Sequence, residues 1–107
     1  MTKVLQLLEI KQRHRAKGDR ADWFAPSATR FFNSAYPRYG YREGDTVYFV
    51  TSERFDMSTP RRYSIRVMDW KTGWIDTLCD FQRFDTRREA YAEMRKAMAE
   101  AARSIAA

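Results

Sequence analysis

A chain of 107 residues is one domain's worth of sequence, able to bury about two-thirds of its unfolded surface around one modest core. Twenty basic residues, fifteen of them arginine, against fourteen acidic ones leave a net charge of +6 and point to anionic partners. The one cysteine, Cys79, closes no disulfide within the chain, and no apolar run approaches the roughly 18 residues of a membrane span, so disulfide scaffolds and membrane-spanning proteins are set aside. "VLQLLEI" near the start is interrupted by Gln6 and Glu9 and does not read as a signal peptide, so a cytoplasmic location is expected.

Residues 2–17 carry Val4, Leu5 and Leu8 at helical spacing, and Gly18 suits a C-terminal cap; this predicts a first helix. Pro26 and Ser27 suit the opening of a short second helix carrying Phe31 and Phe32. "AYPRYGYREGD" (35–45) reads as a turn-rich, tyrosine-rich loop. Strands are expected at 46–55, 61–70 and 74–81, with "KTG" (71–73) as a hairpin turn between the last two. The last helix is placed at 87–105. Thr86 and Glu89 form its capping box, Phe84 precedes it, and Ala90, Met94, Ala97, Met98, Ala101 and Ile105 share one stripe.

The reading is a single α+β domain over residues 1–107 in the order α-α-β-β-β-α. A three-stranded antiparallel sheet carries a long C-terminal helix on one face and N-terminal helices on the other face or edge. Alternation assigns Val47, Phe49, Tyr63, Ile65, Val67, Ile75, Cys79 and Phe81 to the face that meets the C-terminal helix. Tyr48, Val50, Arg66, Met68, Trp70, Trp74 and Leu78, with Asp76 and Asp80, fall on the other face. That face is apolar enough to need a cover: the N-terminal segment, a second copy or a partner.

The densest basic run is "KQRHRAKGDR" (11–20), and residues 1–20 hold six basic and two acidic residues. Lys11, Arg13, Arg15, Lys17 and Arg20 are open to two readings. One is a solvated helix end favoured by the macrodipole, by about 0.3–1 kcal/mol per cation. The other is a clamp on nucleic-acid phosphates, DNA or RNA. "YPRYGYR" (36–42) supplies Arg38, Tyr39 and Arg42 as a second nucleic-acid patch. Tyr36 and Tyr41, with Trp70 and Trp74, suit contact with a protein partner; a simply packed loop uses the same composition.

His14, the only histidine, has no nucleophile at helical spacing and is expected at the surface or on a phosphate. Cys79 is expected in the core, where thiols are inert. Asp76 and Asp80 stand roughly 13 Å apart along a strand, too far for paired-carboxylate chemistry. Glu53 and Asp56 have no His or Cys beside them to hold a metal, and no glycine loop cradles a phosphate. The chain therefore reads as a non-enzyme with no metal and no cofactor.

"FDTRREAY" (84–91) resembles the strand-to-helix junction of three-stranded DNA-binding domains of the plant AP2 and phage-integrase arm-binding types, which show Phe-x-Thr-x-x-Glu-Ala there. The resemblance covers residues 61–98 and implies that Arg66, Trp70, Lys71 and Trp74 face DNA, although Asp76 and Asp80 project from the same predicted face. The helix, three strands, helix order also resembles double-stranded RNA-binding domains, with Arg87 and Arg88 standing where that family places lysines. The Gly-Pro-x-His hairpin signature of that family is missing. The stretch 48–84 is similar to small uncharacterised proteins of phages, plasmids and integrative elements. That similarity implies a mobile-element accessory protein in the host cytoplasm.

The leading expectation is thus a small basic module that contacts nucleic acid through its N-terminal helix end. The alternative is a mobile-element protein that inhibits a host defence complex, a protein or a ribonucleoprotein, by direct contact, in the manner of anti-CRISPR or anti-restriction proteins. A homodimer through Trp70 and Trp74 is the third possibility.

Overall fold

A computed structural model describes residues 2–16, 22–31 and 33–106. In chain order its elements are β1 (Lys3–Gln6), α1 (Leu7–Arg15), α2 (Pro26–Phe31), β2 (Tyr39–Glu43), β3 (Thr46–Glu53), β4 (Arg62–Asp69), β5 (Ile75–Leu78) and α3 (Arg87–Ala106). The strands form one antiparallel sheet in sequence order, β1 to β5. The α+β class is as expected, but the sheet has five strands instead of three. The order β-α-α-β-β-β-β-α replaces α-α-β-β-β-α.

Both added strands come from stretches with another expected fate. Residues 3–6 pair with 39–42, so the chain enters as an edge strand and turns helical only at Leu7. Within β1, Leu5 is buried and Val4 exposed, an alternation that four residues are too few to advertise. The Gln6 N–H donates to Glu9 Oε2 at the start of α1, and the Leu7 N–H donates to the Arg38 carbonyl. The tyrosine-rich stretch holds β2, joined to β3 by a two-residue hairpin turn. Gly44 sits there at φ 62, in the first central position, where a type II′ turn takes glycine.

β3 is the centre of the molecule, buried along seven of its eight residues, and so covered on both faces. The β3–β4 register sets Val50 against Ile65 and Tyr48 against Val67, so even positions of one strand share a face with odd positions of the other. The expected face sets had joined odd to odd and are corrected by this register. α3 packs with Ala90, Met94 and Met98 against Tyr48, Val50, Ile65 and Phe84, with Tyr63, Val67 and Leu78 at the margin. On the opposite face Leu5, Ile10 and Phe24 close over Val47, Phe49, Met68 and Ile75. The N-terminal segment thus covers the face expected to meet the C-terminal helix, and α3 covers Tyr48, Val50 and Leu78 instead.

Pro26 opens α2 as expected; Phe32 lies outside the described residues. Thr86 Oγ1 accepts the Glu89 N–H at 3.1 Å and caps α3. After β5 the chain re-joins β4 through a Tyr63–Phe84 bridge. Cys79 is exposed, at φ 64, and does not enter the core. β5 ends at Leu78, so the alternation that would have turned Cys79 inward stops before it.

Candidate functional site

The N-terminal basic run is largely spent on the fold. Arg13 donates from Nε to the Trp70 carbonyl and from Nη2 to the Lys71 carbonyl. Arg15 Nε pairs with Asp22 Oδ2 at 3.0 Å. The Asp22 carboxyl resists ionising where it is buried, yet the Phe24 N–H and the Arg15 guanidinium together hold it below the usual carboxylate range. Lys11 is half-buried with its ammonium 5.6 Å from the Phe24 ring centre. Lys17 and Arg20 lie outside the described residues.

His14 is buried, not on the surface. Its Nε2 accepts the Trp23 N–H at 2.9 Å, which leaves the ring proton on Nδ1, 2.7 Å from the Gly73 carbonyl. It ties α1 to the 70–73 turn. One imidazole with two backbone partners was beyond sequence reasoning, because both partners lie far along the chain or across the irregular 22–24 segment.

The second patch divides. Arg42 lies 4.4 Å from the Trp70 ring centre and bonds from Nε to the Gly44 carbonyl, while Arg13 lies over the same ring at 5.9 Å. Trp70 is half-buried, with two guanidiniums of its own chain near its ring. Tyr41 packs at the margin of the α3 core. Tyr39 and Arg38 are exposed, the guanidinium 5.7 Å from the ring centre. Trp74 is 49% exposed.

Arg66, the residue that an AP2-like reading sends to DNA, is buried. Its Nη2 meets Glu53 Oε1 at 2.8 Å, its Nε donates to Thr51 Oγ1, and its Nη1 donates to Thr77 Oγ1. The Trp23 and Phe81 rings lie 5.0 and 5.1 Å from its guanidinium carbon. Glu53 is thereby a core ion-pair partner, and Asp56 is held in its own turn by Ser58 and Thr59. Among the described residues no group of three His, Cys, Asp or Glu side chains is placed to hold a metal ion, and no helix is long and apolar enough to cross a membrane.

What the fold does assemble is a cleft of about 310 Å³ between the 35–38 segment and the first turns of α3. Ala35 pairs with Ser52 through two backbone hydrogen bonds of 2.8 and 3.0 Å, which fixes Tyr36, Pro37 and Arg38 beside the end of β3. Tyr63 from β4 and Arg87 and Tyr91 from α3 complete the wall, with Val50, Thr51 and Ser52 behind. Three tyrosines and two arginines line the cleft, and no carboxylate does. Burial pushes the Tyr36 hydroxyl up to about 12, with the nearby Glu53 adding and the Arg66 charge opposing. Burial and the neighbouring Tyr41 raise Tyr91, opposed by Arg87 and Arg95. Both phenols are neutral hydroxyls at ordinary pH, able to donate and accept.

Sequence reasoning named Tyr36 and Arg38 for this region and missed Tyr63, Arg87 and Tyr91 as members of one site. Only strand pairing brings them together, although Arg87 had been marked by its place at the start of the last helix.

Fold and cleft define a small α+β module with an open, cationic, aromatic-lined site. The chain belongs to the family of unknown function DUF7447, which it matches over residues 6–95, from the end of β1 into α3. No curated protein and no solved structure matches it.

Proposed function

We propose that the protein is a non-enzymatic nucleic-acid-binding module whose contact surface is the Tyr36/Arg38/Tyr63/Arg87/Tyr91 cleft. The observation that supports this is the lining itself: three aromatic hydroxyl side chains, two arginines and no acid. Aromatic faces stack on unpaired bases for about 1–3 kcal/mol each, and guanidiniums pair with the phosphates between them. A duplex hides its base faces, so an unpaired segment of DNA or RNA suits the cleft better. Arg88, exposed beside Arg87, and Arg95, over the Tyr91 ring at 5.9 Å, extend the positive surface along α3. The N-terminal run is not part of this contact, since its Arg13 and Arg15 are engaged internally. The compartment that fits such a role is the cytoplasm, or the host cytoplasm for a mobile-element protein.

The test is titration of labelled single-stranded oligonucleotides, one DNA and one RNA, at two salt concentrations. With two to four phosphates contacted, log K falls against log salt with a slope of roughly −1.5 to −3. Arg38→Ala with Arg87→Ala flattens that slope and weakens binding, whereas Lys3→Ala on β1 does not. Affinity indifferent to salt and to the double variant overturns the proposal.

One observation favours the rival role of blocking a host complex by protein contact. Phe55 and Met57 stand 85% and 78% exposed on the β3–β4 loop, and Asp56 between them anchors the turn. A rigid loop offering two large apolar side chains suits a protein pocket. If that reading holds, a host protein is retained at high salt and lost on Phe55→Ala with Met57→Ala.

A further inference from the structure

His14 joins α1, the 22–24 segment and the 70–73 turn through one buried ring. Its Nε2 accepts the Trp23 N–H at 2.9 Å, while Nδ1 meets the Gly73 carbonyl at 2.7 Å. Only the neutral imidazole can do both, because the protonated ring carries a hydrogen on each nitrogen and accepts nothing. We propose that His14 is a proton-operated latch: acid detaches the 22–24 segment from α1 and loosens the wall of the cationic cleft at Tyr36. The latch is a property of the fold and stands whether or not the cleft binds nucleic acid.

A second acceptor is placed to complete the exchange. Asp22 Oδ1 lies 4.0 Å from His14 Nε2 and accepts the Phe24 N–H at 3.0 Å. The other oxygen, Oδ2, pairs with Arg15 at 3.0 Å. A hydrogen on Nε2 opposes the Trp23 N–H, donor against donor, and finds an acceptor in Asp22 Oδ1. Closing that 4.0 Å separation draws the carboxylate away from the Phe24 N–H, so two consecutive backbone donors lose their partners together. A partly buried N–H without an acceptor is costly, and the segment meets that cost by moving out to water.

The charged groups around the ring set the balance. On α1, Arg13 and Arg15 flank His14 and Lys11 lies over the Phe24 ring, so these cations oppose a further charge there. Asp22 favours that charge, but Arg15 already takes one of its oxygens. In the turn, Asp69 accepts the Lys71 and Thr72 N–H groups, and Lys71 pairs with Asp45. Beneath Trp23, Arg66 is paired with Glu53.

The segment carries the two rings that press on Tyr36. Trp23 and Phe24 stand 5.6 and 5.3 Å from the Tyr36 ring centre, and Phe24 meets the His14 ring edge-on at 5.5 Å. Tyr36 lines the cleft. A change at His14 therefore reaches the cleft wall through one continuous row of ring contacts.

The experiment is a titration of the full chain, followed by nuclear magnetic resonance, from about pH 8 to about pH 5, the range in which histidine changes charge. It observes His14 Cε1–H, the Trp23 backbone and indole N–H groups, and the Tyr36 ring. The Trp23 and Tyr36 signals are expected to shift with the same midpoint as His14. His14→Gln offers the Trp23 N–H an acceptor that does not titrate, and its Trp23 and Tyr36 signals are expected to stay constant. Asp22→Asn keeps an oxygen for the Phe24 N–H but removes the charge, and it is expected to move the shared midpoint to lower pH; this variant serves if His14→Gln fails to fold. A His14 that ionises while Trp23 and Tyr36 stay fixed overturns the proposal, as does a His14 that stays neutral until the whole chain unfolds. So does a His14→Gln protein whose signals still move with the parent's midpoint, because a carboxyl would then be the titrating group.

Discussion

The Glu53–Arg66 pair is the most consequential residue-level feature of the interior. A charge taken from water is costly, and attraction repays that cost only when the remaining donors and acceptors are also met. Here they are: Thr51 Oγ1 donates to Glu53 Oε1 at 2.5 Å, Ser64 Oγ donates to Oε2 at 3.1 Å, and Thr77 takes a second guanidinium hydrogen. Removing either partner strands the other in the core. Arg66→Ala and Glu53→Ala are each expected to lose about 3–5 kcal/mol, a large share of a small domain's stability. The paired replacement Glu53→Leu with Arg66→Met is expected to lose far less than the two singles combined. Urea denaturation of the four proteins checks this, and strict additivity would refute it. The same pair explains why Arg66 was misplaced by its pattern: alternation reports which face a residue occupies, not whether a partner waits there.

At the scale of elements, β3, β4, the short β5 and α3 were legible, and β1 and β2 were not. β3 and β4 carry long runs with alternation, and α3 carries an apolar stripe with a Thr86 cap. β1 is too short for a period to show, and its Val4 and Leu5 run on into Leu7 and Leu8 of α1, so one helix accounted for both. β2 hid behind its own composition, because Tyr39–Glu43 carries a glycine and ends at a turn. The Glu43-Gly44-Asp45 turn was the missed signal, since a two-residue glycine turn before a strong strand implies a strand ahead of it. The face assignments failed because register cannot be read from one strand at a time.

Gly40 records how β1, α1 and β2 close together. A Cβ there would stand 2.5 Å from Ile10 Cδ1 and 3.2 Å from the Tyr48 carbonyl oxygen. Ile10 is fully buried and has nowhere to swing. Gly40→Ala is expected to cost about 1–3 kcal/mol through overpacking. Adding Ile10→Val removes the colliding methyl, so the double variant is expected to be more stable than Gly40→Ala alone. Denaturant midpoints at unchanged slope decide this; a neutral Gly40→Ala would mean that α1 does not sit on β2 this closely.

For the whole molecule, buried tyrosines bind the architecture to pH. Tyr36, Tyr48 and Tyr91 all have hydroxyls raised above the ordinary value of 10, in each case first by burial, and Tyr36 reaches about 12. A raised phenol means that the folded state holds its proton more firmly than the unfolded chain does. The resulting stability is complete below pH 10 and drains away as pH climbs from there towards 12, because unfolding then releases protons. The denaturation midpoint is therefore expected to be flat through the weakly alkaline range and to fall steeply above pH 10. Tyr48 and Tyr91 are raised by burial as well, so the wild-type curve alone does not isolate Tyr36. Tyr36→Phe resolves it: the variant loses the last phenolate transition in an absorbance titration, and its midpoint falls less steeply above pH 10 than the parent's. If the two proteins decline in parallel, Tyr36 ionises as freely in the folded chain as in the unfolded one, and its hydroxyl is not buried at the cationic cleft as the fold has it.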